Sequence, residues 1–344
     1  MSLLRLPRQM NDVQALLRSL DWHAMEREVA QETASRLVIV GPVNSGKSTL
    51  FNRLHGRKLS ATSAVPGTTT GVVEHPLGPF LLVDTPGFGE VWGVDRASVA
   101  EKAVAQADLV LLLLDAVAGV RQSDLDLYQK LLGLRVPVIV ALNKTDAIRG
   151  DLPYVLENAE RLLETRPVPI SAQHGDGILD GLIPEILNAA PAVAVAMARA
   201  LPGVRAMITN RIIRNAAWTN ALISLEPIPG LDIPLLLASQ TRLVLRIAAA
   251  YGHALTVSHA RELLTTMAGS LLTRYLGLQL AKLVPGLGWL ASAALSAAAT
   301  WGMGHAARRY FEAGATMKAP SLRELYQRMR RVAPRHLFRR RAAP

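Results

Sequence analysis

Cysteine is absent from the 344 residues, which excludes disulfides, thiolate metal ligands and cysteine nucleophiles. Aromatic residues make up only 5% of the chain, and no strand carries the aromatic pair of an RRM-like sheet. A G-x-x-G loop in a KH-like setting is missing as well. The N-terminus lacks the unbroken apolar core of a secretory signal, because Arg5, Arg8 and Asp12 interrupt it. Acid is scarce in the back of the chain. Residues 191–344 hold 5 Asp/Glu against 20 Lys/Arg, a net of +15, whereas residues 1–190 hold 22 against 18, a net of −4. A basic half of this kind points to a polyanionic partner, either nucleic acid or anionic lipid. Taken together, these absences predict a reducing, cytoplasmic setting.

Half of the residues are apolar, enough for two ordinary domains. Residues 10–34 read as an amphipathic helix with Val13, Leu16, Leu17 and Leu20 on one face, serving as a partner-binding arm or packed on the domain that follows. From Arg36 short apolar runs alternate with helical stretches. Strands are predicted at Leu37–Val40, Val72–His75, Phe80–Asp84, Leu109–Leu114, Val136–Leu142 and Val168–Ile170. Helices fall around Ser48–Leu54, Ala97–Ala105, Asp124–Leu132, Tyr154–Leu163 and Ile178–Leu187. That alternation predicts βαβ units and a mostly parallel sheet with helices on both faces, the Val72–His75 run joining Phe80–Asp84 as a short hairpin. The fold class expected is an α/β P-loop domain followed by an all-α domain. Its divisions are a helical arm at 1–34, the α/β domain at 35–190, a helical domain at 200–320 and a basic tail at 321–344.

Gly41 to Ser48, GPVNSGKS, matches G-x-x-x-x-G-K-[ST] directly after a strand and before a helix, the context this motif requires. Its backbone amides, from Asn44 through Ser45, Gly46, Lys47, Ser48 and Thr49, would curl round phosphates at a helix N-terminus. Lys47 would reach the β- and γ-phosphates, and the Ser48 hydroxyl would bind Mg²⁺. Asp84-Thr-Pro-Gly87 ends an apolar strand, so Asp84 can act on the metal through water while the Gly87 amide meets the γ-phosphate. In Asn143-Lys-Thr-Asp146, Asp146 can accept two hydrogen bonds from guanine, with Asn143 buttressing the base and Lys144 over its plane. Adenine presents no such donor pair. Ser171-Ala172 would offer a backbone amide to guanine O6. Pro66-Gly-Thr-Thr-Thr70 holds a threonine that closes on the metal when a γ-phosphate is present; Thr69 is the choice, with Thr68 second.

In this order and spacing the set resembles the Era/TrmE/Der group of GTPases, over about 155 residues. The resemblance implies a GTPase binding GTP or GDP with Mg²⁺, Lys47, Thr69 and Gly87 being the residues closest to the chemistry. Phe88 stands where Ras-like enzymes carry a water-orienting glutamine, and phenylalanine cannot polarise water. Asn44 occupies the position that binds K⁺ in potassium-activated members, so K⁺ joins the expected cofactors and a nucleotide-dependent dimer joins the expected assemblies. Glu90 and Asp95 lie near the place of a downstream acidic residue used by TrmE-like enzymes, but neither matches its spacing.

Leu225-Glu-Pro-Ile-Pro-Gly-Leu-Asp-Ile-Pro234, Gln240, Tyr251-Gly252 and Leu283-Val-Pro-Gly-Leu-Gly288 resemble the YcjF-type C-terminal domain over about 90 residues. That resemblance implies a helical domain, sometimes linked to membranes, without an activity of its own. Leu283–Gly304 is a charge-free run flanked by Arg274, Lys282, Arg308 and Arg309. Its length suits a bilayer span, but Pro285 and Gly286 break its start, so two half-length helices making a shallow insertion, or a buried helical hairpin in a soluble core, fit as well. The last 24 residues contain eight arginines, and Leu337-Phe338 precedes Arg339, Arg340 and Arg341. The function expected is a nucleotide-dependent switch at a membrane surface, peripheral or integral at its inner face. The alternative is a ribosome- or RNA-associated assembly GTPase.

Overall fold

The computed structural model describes residues 20–55, 80–84, 104–226, 232–254, 257–268 and 287–337. They fall into two compact units, Glu32–Ala206 and a second made of Met1–Gln31 with Met207–Pro344.

In the first unit five parallel strands lie in the order β2-β1-β3-β4-β5: β1 Leu37–Gly41, β2 Phe80–Asp84, β3 Leu109–Asp115, β4 Val138–Asn143 and β5 Val168–Pro169. β1 and β3 are apolar on both faces because helices cover both, and all of Leu109 to Leu114 is buried. Between the strands run α2 Lys47–His55, α3 Gln122–Gly133 and α4 Leu152–Leu163, with α5 Ile183–Ala189 and α6 Val193–Ala200 after β5. Asp124 caps α3 by accepting from the Arg121 amide at 3.0 Å, and Asp151 caps α4 by accepting from Tyr154 at 3.3 Å.

Three boundaries differ from the sequence reading for local reasons. β4 starts at Val138, past Pro137, which has no N–H for the ladder. α4 starts at Leu152, because Pro153 is welcome in a first turn. The expected helix over Ile178–Leu187 opens as a π turn at Ile178–Leu182, with Leu182 N–H bonded to Gly177 O at 2.8 Å, before α5 begins. Pro184 has no N–H to donate four residues back. Among the described residues the sheet is wholly parallel; the expected strand Val72–His75 and helix Ala97–Ala105 lie outside them or reach them only at Val104 and Ala105.

The second unit is helical. It holds most of α1 (Trp22–Ala34), then α7 Pro202–Ile223 from Met207 on, α8 Ile233–Ala250, α9 Val257–Ala268, α10 Leu287–Glu312 and α11 Ala319–Leu337. Trp22, Met25 and Val29 form the buried face of α1, and Glu28 pairs with Arg242 of α8 at 2.8 Å. α10 begins just past Pro285-Gly286 as one continuous helix, so the charge-free run Leu283–Gly304 is not two half-helices from Leu287 onward. Its neighbours come close because its side chains are small. A Cβ on Gly302 would press on the Arg330 backbone at 3.0–3.1 Å, and one on Gly304 would meet Ile213 at 2.7 Å. Among the described residues the helix long and apolar enough to cross a membrane is α8, with mean hydropathy 1.3 and 56% of that window buried.

Candidate functional site

All five strands end at one edge of the sheet, where α/β folds bind ligands. There Gly41 pairs with Asp84, and Asp115 with Asn143. The loop after β1 curls tightly before α2. Asn44 at φ 66° and Gly46 at φ 95° take the left-handed conformation that lets successive amides face one side. Lys47 is only 6% exposed, and its ammonium donates to the carbonyls of Gly41 and Pro42, each at 2.7 Å. A buried cation needs such partners. Ser48 and Thr49 are exposed on the first turn of α2.

One side chain joins three loops. Asn143, 2% exposed at the end of β4, donates from Nδ2 to Ser45 O at 2.8 Å and accepts at Oδ1 from the Ala172 amide at 2.8 Å. Gly46 is needed beside it, since a Cβ there would run into the Asn143 amide. The Ala172 amide, expected for guanine O6, is thus engaged by Asn143. Lys144, left-handed at φ 66°, opens the short turn Thr145–Ala147 that carries Asp146. Its ammonium meets Asp115 Oδ2 at 2.6 Å, while Asp115 Oδ1 accepts from Val117 N–H at 2.9 Å. Asp146 Oδ2 lies 3.6 Å from His174 Nε2. Ser171 is fully buried, and its hydroxyl accepts from the His174 amide at 3.0 Å, closing the loop after β5. From α2, Arg53 Nε donates to Ala172 O at 3.2 Å.

The loops carrying Asn44 through Thr49, Asn143 through Asp146, and Ser171 with Ala172 therefore share one edge, and Asp84 ends the strand beside them. Thr69, Thr68, Gly87, Phe88, Glu90 and Asp95 lie outside the described residues. Sequence reading missed Asp115, Arg53 and His174. Asp115 had a signal, as the acid that ends the third apolar strand at the same edge. Two histidines of the helical unit show ring packing: His305 sits 4.5 Å from the Trp301 ring and His253 5.4 Å from Phe311.

Residues 36–144 match the family described as 50S ribosome-binding GTPase, and residues 189–334 match the domain of unknown function DUF697. The matches thus mark a G domain followed by a DUF697 domain, each covering less than half of the chain. This G domain is 41% identical to GTPase Der of Parvibaculum lavamentivorans over 153 residues, 42% of this chain and 32% of that protein. Against GTPase Era of Aquifex aeolicus the identity is 38% over 170 residues, 45% of this chain and 56% of that one. A crystal structure of a point variant of Aquifex aeolicus Era bound to GDP·AlF4⁻ aligns at 31% identity with a TM-score of 0.36, covering 54% of this chain and 66% of that one. The chain thus spans about a third to a half of the curated relatives it matches. The helical DUF697 domain agrees with the YcjF-type resemblance.

Proposed function

We propose that the G domain binds GTP and hydrolyses it to GDP and phosphate. The observation that carries this is Asn143, which ties the phosphate loop at Ser45 to the base-reading loop at Ala172, next to Asp146. A site for a small ligand with phosphate at one end and guanine at the other needs that rigid span. Mg²⁺ suits the residues present: Ser48 exposes a hydroxyl at the start of α2, and Asp84 ends the strand paired with Gly41. Ser48 and Thr69 would hold it directly and Asp84 through water. The metal supplies charge neutralisation between the β- and γ-phosphates. Lys47 would leave its loop carbonyls for the phosphate oxygens. Asn44, exposed and left-handed, would offer its amide oxygen to a K⁺ ion, which fits a chain with Phe88 where a glutamine would orient water.

The switch acts at a membrane surface, through the basic, partly charge-free helical domain, and a nucleotide-dependent dimer is one way it completes its site. A ribosome- or RNA-bound role is favoured instead by the family of the G domain.

Calorimetric titration with GTP and ATP tests the site: GTP should bind and ATP should not, and equal affinities would overturn the guanine assignment. Turnover should be faster in K⁺ than in Na⁺ at equal ionic strength. Even ~2 kcal/mol off the barrier is roughly thirtyfold in rate. Equal rates in the two salts at every protein concentration would remove K⁺ from the site.

A further inference from the structure

The helical unit loses its charges toward one end. α7 carries none from Asn215 to Leu225, α8 none from Ile233 to Thr241, and α10 none from Leu287 to Ala307. These stretches meet. Arg308 Nη1 donates to Asn210 at 2.5 Å, Asn220 Nδ2 donates to Thr300 at 2.8 Å, and Ala217 and Ala221 pack with Ala293 and Ala297, so α7 and α10 run antiparallel. The last turn of α7 therefore lies beside the first turns of α10. α8 starts ten residues after α7 ends, and its Gln240 also reaches Thr300, at 3.3 Å.

All five exposed large apolar side chains among this unit's described residues sit in those stretches: Trp218, Leu222, Leu225, Leu235 and Leu290, between 38% and 67% exposed. Trp218 and Leu222, at i and i+4, share one face of α7, and Leu225 lies in the turn just after it. Exposed leucines scattered singly need no explanation, but a gathered set without charge does. The two nearby acids do not spoil it, since Asp232 is buried and Glu226 and Asp232 are both engaged.

Basic charge flanks the same end. α11 packs along α10 with Arg330 at Gly302 and Ala333 near Ala297 and Ala298, so its C-terminal half heads toward the start of α10. Arg328 and Arg331 are exposed on it.

We propose that this end of the helical unit is a docking surface for anionic lipid, with Trp218, Leu222, Leu225, Leu235 and Leu290 entering the acyl boundary and the α11 arginines at the headgroups. This rests on the membrane-surface reading and names the surface that performs it. RNA phosphates would draw the arginines but give the leucines nothing. A bilayer offers hydrocarbon and, one layer out, negative charge. The insertion is shallow, because the rest of α7 and α10 is committed to packing inside the unit.

The test uses the full chain with vesicles of phosphatidylcholine alone and with phosphatidylglycerol added, read by co-sedimentation and by tryptophan quenching from brominated acyl chains. Binding should require the anionic lipid, and the quenching should be lost in Trp218→Phe. Leu222→Glu or Leu290→Glu should lower partitioning by about tenfold, as for one leucine kept from burial. Arg328→Glu and Arg331→Glu should each lower it by about fivefold. GTP affinity, measured in parallel, should stay unchanged and reports that the variants remain folded. Sedimentation without Trp218 quenching, and indifferent to both leucine substitutions, overturns this surface but leaves the membrane reading standing. Failure to bind any vesicle overturns both. RNA binding that the arginine substitutions abolish, with no vesicle binding, assigns the basic face to RNA and overturns the proposal.

Discussion

Replacing Asn143 by alanine removes the two hydrogen bonds, each 2.8 Å, that fasten Ser45 and Ala172 to β4. Each contributes about 0.5–1.5 kcal/mol net, and a buried partner left unpaired costs about 1–3 kcal/mol. Water entering the vacated volume offsets part of this, so the combined loss is about 2–4 kcal/mol. The sheet itself keeps its ladder, because Asn143 O still accepts from the Ala116 amide at 2.8 Å. The loss therefore falls on the order of the two loops. If all of it does, GTP affinity drops about 30- to 1000-fold. Asn143→Asp separates the two bonds: one oxygen can still take the Ala172 amide, while the other would face the Ser45 carbonyl and repel it. It should be no better than alanine. Calorimetry for GTP and GDP, beside thermal unfolding, measures both quantities. An alanine variant that binds GTP within about threefold of wild type, while unfolding several degrees lower, would refute the bridging argument. Asn143 would then be an ordinary core bond.

Three further outcomes are expected. Lys47→Ala should abolish GTP turnover in a phosphate-release assay, since no other described cation is held inside the loop; normal turnover would put the chemistry elsewhere. Asp146→Asn should weaken GTP binding and admit xanthosine triphosphate, whose exocyclic oxygen suits the swapped amide, and an unchanged preference for GTP would remove Asp146 from base reading. Burial pushes the Tyr326 hydroxyl well above its ordinary range near 10, against a smaller opposing pull from Arg330. The folded state thus keeps the proton that the unfolded chain releases, so stability is intact below about pH 10 and falls as pH rises above it. Tyr326→Phe should flatten that alkaline slope in chemical denaturation, and at neutral pH it should cost little because the hydroxyl has no hydrogen-bond partner among the described residues. An unchanged slope would exclude Tyr326 as its source.

Much of the G domain was legible because its signals are local. Leu109 to Leu114 has to be a two-sided buried strand, and GPVNSGKS can only open a helix after a tight glycine turn. The partners within the site were not legible, because they come from chain segments far apart. Asn143 reads in sequence as a base buttress, yet its reach to Ser45 depends on β1 and β4 flanking β3. Lys144 reads as a lid over the purine, and without the topology nothing couples it to Asp115, 29 residues earlier. The helical unit hid more. Glu28 and Arg242 are 214 residues apart, and nothing in their spacing announces a pair. Leu283–Gly304 was conspicuous for carrying no charge, but composition alone does not separate alanines that face lipid from Ala297, Ala298 and Ala299, which face other helices.

Gly302 and Gly304 lie on nearly opposite sides of α10, one under the α11 backbone and the other under Ile213 of α7. At those two positions the central helix meets its neighbours with bare backbone, clamped from both flanks. Adding one methyl at either glycine would pry the clamp open.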